Sequence, residues 1–305
     1  MLTVLPRFIL FILNVLLVVA ATAFNTLLIF ICSVLKLLLP FGPTQRFFSR
    51  LNNRFMGWWL EANRLILSLT NRVEWDIEMP DYPFSKREWY LLTCNHQSWS
   101  DIVILGYLFG RLIPPPKFFL KHSLLFVPFV GLACWGLDMP FMRRYSREKL
   151  LKKPHLRGKD VEVTKKSCEK FRTLPTTVIN FVEGTRFDIE KQRRLKSPYQ
   201  HLLPPKAGGF STALGAMGPF FNQLIDVTLL YPENQKSPFI DLLCGRMRRI
   251  VVRVTIHSLQ QQELELDPQL TEAQQKRQQQ QWLQKQWQEK DLWIESYYQQ
   301  HPTPD

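Results

Sequence analysis

The chain opens on an uninterrupted apolar run. No residue from Phe8 to Leu35 (FILFILNVLLVVAATAFNTLLIFICSVL) carries a charge. That is longer than the ~20 apolar residues a helix needs to cross a bilayer core. The run fits either one tilted span or a helical hairpin that breaks near Asn14 or Asn25. A signal peptide competes, since Arg7 precedes the run and AATA at 20–23 resembles a cleavage site. The apolar residues continue well past those alanines, which a cleaved signal does not need. Residues 40–70 then mix Arg46, Arg50 and Arg54 with Trp58, Trp59 and phenylalanines at helical spacing. This predicts an amphipathic helix, lying in a membrane interface or packed on a core by the same aromatics.

From about residue 71 the period changes. VEWDIEM (73–79) alternates, which predicts a strand, and strand-like runs recur at 88–94, 117–120, 178–182, 226–231, 239–243 and 250–256. Helical stretches fall between several of them, at 101–109 and 159–173 among others. This alternation predicts an α/β fold, with a mixed, mostly buried sheet flanked by helices and an N-terminal membrane-embedded helical segment. Residues 118–141 are largely apolar, but Lys121, His122, Pro128, Gly131, Gly136 and Asp138 interrupt them. They read as buried strands and turns, or as a shallow membrane-facing surface. Beyond Thr271, Leu283, Trp287, Ile294 and Tyr298 lie on one helical stripe, which predicts a terminal helix docked on the domain. The expected divisions are 1–70 (membrane segment and amphipathic helix), 71–260 (α/β domain) and 261–305 (helical tail).

Charge narrows the partners. With 39 Lys+Arg against 26 Asp+Glu the formal net charge is +13, and 46% of the 305 residues are hydrophobic. The excess favours a polyanionic neighbour: nucleic acid, anionic lipid or a phosphorylated substrate. The basic residues that follow the apolar run (Lys36, Arg46, Arg50, Arg54) keep the rest of the chain cytoplasmic by the positive-inside rule. Five scattered cysteines form no CxxC pair, so neither a zinc site nor a disulfide framework is expected.

Three short stretches carry candidate chemistry. In NHQSWSD (95–101) a histidine and an aspartate stand five positions apart, just after an apolar run. Within one helix they would diverge by about 140°. They meet if His96 lies in a loop and Asp101 in the first turn of the next helix. The bland reading is a capping box, Ser98-x-x-Asp101, with Ser98 as N-cap. The chemical reading is a base and its orienter: a carboxylate holding one ring nitrogen leaves the other free to take a proton from a hydroxyl. Without a GxSxG elbow, a serine hydrolase is excluded in its usual form. Glu183-Gly184-Thr185-Arg186 follows the apolar strand VINFV, and its glycine and arginine suit a phosphate, although a solvated turn would look the same. Phe141-Met142-Arg143-Arg144 opens a basic run that continues through Lys159, fit for an anionic lipid or simply for solvent.

The order NHQSWSD, Lys121 in FFLKHSLLFVPFVG, FMRR and FVEGTR resembles that of the 1-acylglycerol-3-phosphate (lysophosphatidate) acyltransferase family. The branch it looks most similar to is that of lysophospholipid and lysocardiolipin acyltransferases, and the resemblance covers roughly residues 85–232. It implies that His96 deprotonates an acceptor hydroxyl, which attacks an acyl thioester, and that Asp101 orients His96. Arg144, with Arg143 as the alternative register, and Arg186 would bind the acceptor phosphate, with Lys121 nearby. Glu183, Gly184 and Thr185 would shape that site. No metal or other cofactor is implied. The implied partners are membrane lipids, a lysophospholipid acceptor and an acyl-CoA or acyl carrier protein thioester, with no nucleic acid. A bacterial inner membrane is the expected location, with the catalytic domain on the cytoplasmic side. Two departures stand out. Arg143 occupies the place of an aspartate in the family's Phe-Ile-Asp-Arg block, and Asp226-Val-Thr-Leu-Leu-Tyr231 lacks its Val-Pro. A rival of another class is a non-catalytic, membrane-tethered protein whose 143–159 run binds polyanions.

Overall fold

The computed structural model describes residues 2, 4–127, 130–142, 168, 171, 174–259 and 269–302. Two long helices come first, α1 (Arg7–Leu38) and α2 (Gly42–Thr70). There is no hairpin within the apolar run: α1 is a single unbroken helix of 32 residues. Each asparagine that suggested a break donates its side-chain amide to a backbone carbonyl. Asn14 Nδ2 donates to the carbonyl of Leu243 at 2.7 Å, and Asn25 Nδ2 to that of Ala21 at 2.9 Å. One face of α1 is buried (Leu10, Asn14, Ile29, Cys32, Lys36), while Phe8, Ile12, Leu16, Val19, Leu27 and Ile31 are exposed. Among the described residues α1 is the one helix long and apolar enough to cross a membrane by length and composition. Helix α2 packs on the core by one face and exposes aromatic and apolar residues on the other. Phe55, Met56, Leu60 and Leu67 are buried, whereas Phe47, Trp58 and Leu65 stay exposed.

The following elements are β1 (Glu74–Glu78), β2 (Tyr90–Cys94), α3 (Ser100–Phe109), β3 (Pro116–Phe118), β4 (Leu120–Lys121), α4 (Val130–Gly136), β5 (Phe141–Met142) and β6 (Thr177–Phe181). After these come α5 (Ile189–Arg194), α6 (Ala207–Met217), β7 (Gln223–Leu230), α7 (Pro238–Leu243), β8 (Arg249–Ser258) and α8 (Glu272–Gln300). The main sheet has the order β1-β8-β7-β2-β6-β3. Strands β7, β2, β6 and β3 run parallel, and β8 is antiparallel to β7. This mixed α/β sheet matches the class expected from the alternation of elements. The central strand β2 is buried at every position, as helices on both faces require. Its residues alternate between two cores. Leu91 joins Phe210, Leu214 and Trp287 beneath α6 and α8, while Tyr90 and Leu92 join Ile104 and Leu105 beneath α3.

One predicted strand is wrong. Residues 239–243 belong to α7, where Pro238 sits in the first turn with its φ already helical. A short apolar run does not separate strand from helix by period. Residues 118–141 form the short pair β4–β5 around α4, against α1 and α2. The 159–173 stretch lies outside the described residues except for Cys168 and Phe171, both buried in the core. Helix α8 begins at Thr271 with a capping box to Gln274, and it buries Leu283, Trp287 and Ile294 as the stripe predicts; Tyr298 is only partly buried.

Candidate active site

Parallel pairing brings the two principal motifs together. Cys94 of β2 faces Phe181 of β6, so the chain leaves both strands at the same end of the sheet, side by side. His96 lies two residues beyond the first and Glu183 two beyond the second. This is the carboxyl end of parallel strands, where open α/β sheets place their ligands. On the other side Cys94 faces Val227 of β7. There Asn95 extends the ladder with its side chain, donating to the Leu229 carbonyl at 2.9 Å and accepting from the Leu229 N–H at 2.8 Å.

His96 and Asp101 do meet, with Nδ1 2.7 Å from Oδ2. The same Oδ2 accepts from the backbone N–H of Gln97 (2.8 Å) and Ser98 (3.0 Å), and Oδ1 from the hydroxyl of Tyr231 (2.9 Å). Asp101 is wholly buried. A carboxylate only accepts, so the shared proton sits on Nδ1 and Nε2 is left as an acceptor. The geometry expected of the capping reading and that expected of the catalytic reading are present together at Asp101. It satisfies N–H groups ahead of α3 and orients the histidine with the same oxygen. Ser98 is not the N-cap; Trp99 holds that position without a side-chain bond, and Ser98 Oγ accepts from the Ser100 N–H at 3.3 Å. The imidazole stacks on Phe181, with centroids 4.0 Å apart and planes at 18°.

The EGTR turn completes the floor. Glu183 is buried, and its Oε1 accepts from the N–H of His96 at 3.2 Å. Burial raises its pKa from the usual 4.5 to about 8, against the opposing backbone N–H groups of His96 and Leu203 and the charge of Lys290. Gly184 has φ +70°, a conformation that a side chain strains. Beside it Thr185 Oγ1 accepts from Lys191 Nζ at 3.2 Å. The Arg186 guanidinium lies 4.8 Å from the ring of Trp99, which is itself 55% exposed, so its fork faces solvent beside the dyad. Lys121 lies in β4, paired with Met142 of β5. Arg143 and Arg144 come next in the chain and lie outside the described residues.

Behind α3 a narrow apolar cleft runs between Leu60 of α2, Ile102, Gly106 and Gly110 of the α3 region, and Ile179 of β6. Sequence reasoning missed this cleft, and it missed Tyr231, Asn95 and Phe181. The signal for Tyr231 was its place just past a strand parallel to β2, which cannot be read before strand order is known.

The model of the family described as Acyltransferase matches residues 79–231, half of the chain. The chain belongs to this acyltransferase family. Its matched region runs from just ahead of β2 through Tyr231 and so includes both motifs. Among similar proteins, 1-acyl-sn-glycerol-3-phosphate acyltransferase 3 of Arabidopsis thaliana is 26% identical over 187 residues, 57% of this chain and 46% of that protein. The corresponding enzyme 2 of Brassica oleracea is 25% identical over 65% of this chain and 53% of that protein. The human gamma enzyme is 25% identical over 72% and 56%. The chain thus spans about half the length of the curated relatives it matches. The crystal structure of the 1-acyl-sn-glycerophosphate (LPA) acyltransferase PlsC from Thermotoga maritima aligns with 87% of this chain and 91% of its own, at 18% identity and a TM-score of 0.41.

Proposed function

We propose that the protein is a membrane-bound 1-acylglycerol-3-phosphate acyltransferase. It moves a fatty acyl group from an acyl thioester to the sn-2 hydroxyl of lysophosphatidic acid, giving phosphatidic acid. The observation that carries this reading is the His96–Asp101 pair at 2.7 Å, next to the EGTR turn in an acyltransferase-family chain. His96 Nε2 takes the proton of the acceptor hydroxyl as its oxygen attacks the thioester carbonyl. Asp101 stabilises the imidazolium so formed. The carbon–sulfur bond then breaks, and the departing thiolate takes the proton from Nε2. No metal or other cofactor enters these steps. Positioning two substrates contributes much of the acceleration, and the base about 10²–10⁴-fold.

Arg186 supplies the fork for the acceptor phosphate, with Lys121 and the arginines at 143 and 144. Helix α1 with the outward aromatics of α2 seats the site at a lipid surface. We assign that surface to a bacterial inner membrane, with the catalytic domain on the cytoplasmic side and acyl-CoA or acyl carrier protein as donor.

The test uses membranes carrying wild type or His96→Ala, supplied with labelled lysophosphatidic acid and each donor thioester in turn. Phosphatidic acid from wild type alone is expected. Equal product from both would remove His96 as the base. Product only from another lysophospholipid would keep the chemistry and change the acceptor.

A further inference from the structure

We infer that Tyr231 is a positioning residue of the dyad, holding the second oxygen of Asp101 so that the first stays on His96. The inference rests on the acyl-transfer reading for its kinetic arm only. Every donor to Oδ2 comes from the loop around Asp101: the His96 ring and the N–H groups of Gln97 and Ser98. Oδ1 instead turns toward the sheet and accepts the Tyr231 hydroxyl at 2.9 Å. A carboxylate pivots about its own axis, and two anchors on different elements fix that rotation where one does not. Both residues are fully buried, so water does not replace the phenol.

The mounting of Tyr231 is itself rigid. It follows the last residue of β7, and two residues earlier Leu229 is locked to Asn95, the neighbour of His96, through both backbone groups. Farther back, Lys290 of α8 donates to Asp226 (3.0 Å) and to the Val227 carbonyl (2.8 Å), while Thr93 of β2 donates to the same Asp226 oxygen. Strand β7 therefore acts as a bracket, carried from behind by the C-terminal helix, that presents one phenol to the catalytic carboxylate.

The test is Tyr231→Phe in the full-length chain, solubilised with its membrane segment. This change removes one oxygen and keeps the ring. Tyr90→Phe is the matched control, since its equally buried hydroxyl bonds to Glu88 at the far end of β2. Two readouts are taken. In the lysophosphatidate assay Tyr231→Phe is expected to lower kcat about tenfold, the effect of one lost hydrogen bond to a charged group, with KM for both substrates within about twofold. By NMR of histidine-labelled protein, the downfield proton on His96 Nδ1, assigned by its loss in His96→Ala, is expected to move or broaden. Tyr90→Phe should leave both kcat and the resonance at their wild-type values.

An unmoved resonance in Tyr231→Phe overturns the inference, even if activity falls through a raised KM or lost stability. Absence of the resonance from wild type overturns it too. If wild type acylates no lysophospholipid yet the resonance is present and Tyr231→Phe shifts it, the positioning role stands and the acyl-transfer reading falls.

Discussion

Two buried carboxylates end neighbouring strand loops in this molecule, and their surroundings differ. Asp101 accepts four hydrogen bonds, from His96, two backbone N–H groups and Tyr231. Glu183 accepts one, from the His96 N–H on Oε1, while Oε2 is buried with no partner among the described residues. Both are buried, and they differ in the number of donors aimed at them. Four donors hold Asp101 in place, whereas burial pushes Glu183 well above the usual carboxylate range. On the proposed mechanism this division is apt. The first must stabilise an imidazolium, while the second bonds the backbone of the same histidine and adds no competing anion.

Exchanging roles gives the largest effect. His96→Ala and Asp101→Asn should each lower kcat/KM by about 10²–10⁴-fold, with Glu183→Gln costing far less. A harmless Asp101→Asn beside a dead Glu183→Gln would invert the assignment.

Next comes the support shared by both sites. Lys290 and Asp226 form a buried pair with side chains 2% and 9% exposed. Lys290→Met leaves the buried Asp226 with the Thr93 hydroxyl but without its cation, so unfolding in denaturant should show a loss of about 3–5 kcal/mol. An unchanged midpoint would mean that α8 docks through its apolar stripe alone.

Arg186 is exposed, so removing it should spare the fold and act on the ligand. Arg186→Ala should raise KM for lysophosphatidic acid about tenfold at constant melting temperature, with Arg186→Lys recovering only part because the fork is gone. A fall in kcat without a change in KM would detach this residue from the acceptor.

The last comparison is a pH dependence. Between pH 4.5 and about 8 the unfolded chain has released the Glu183 proton while the folded chain keeps it. Stability should therefore fall as pH rises through this window, and it is fully present below it. Glu183→Gln should flatten that part of the curve, with its advantage over wild type greatest near pH 8. Parallel curves for the two proteins would mean that Glu183 ionises normally in the fold.

Much of this was legible in the chain because it is local. The alternation of strands and helices, the Thr271 start of α8 and the meeting of His96 with Asp101 all depend on neighbours within a few positions. The failures were longer in range. Asn14 looked like a helix breaker because its acceptor, the Leu243 carbonyl, lies 229 positions away. Residues 239–243 looked like a strand because five apolar positions fit either period, and a proline decided it. Tyr231 looked like the end of an apolar block until strand order placed it beside the dyad. Physical contact across the sheet leaves little trace in a single sequence.

The Asn14 bond also changes how the N-terminus should be regarded. It joins α1 to α7, and Lys36 repeats the attachment at the other end of the helix through its buried pair with Asp138 at 2.8 Å. A tether would let the sheet domain roam within a radius. A beam bolted at two points transmits orientation as well as position, so the dyad keeps one height and one heading relative to whatever surface receives the outer face of α1.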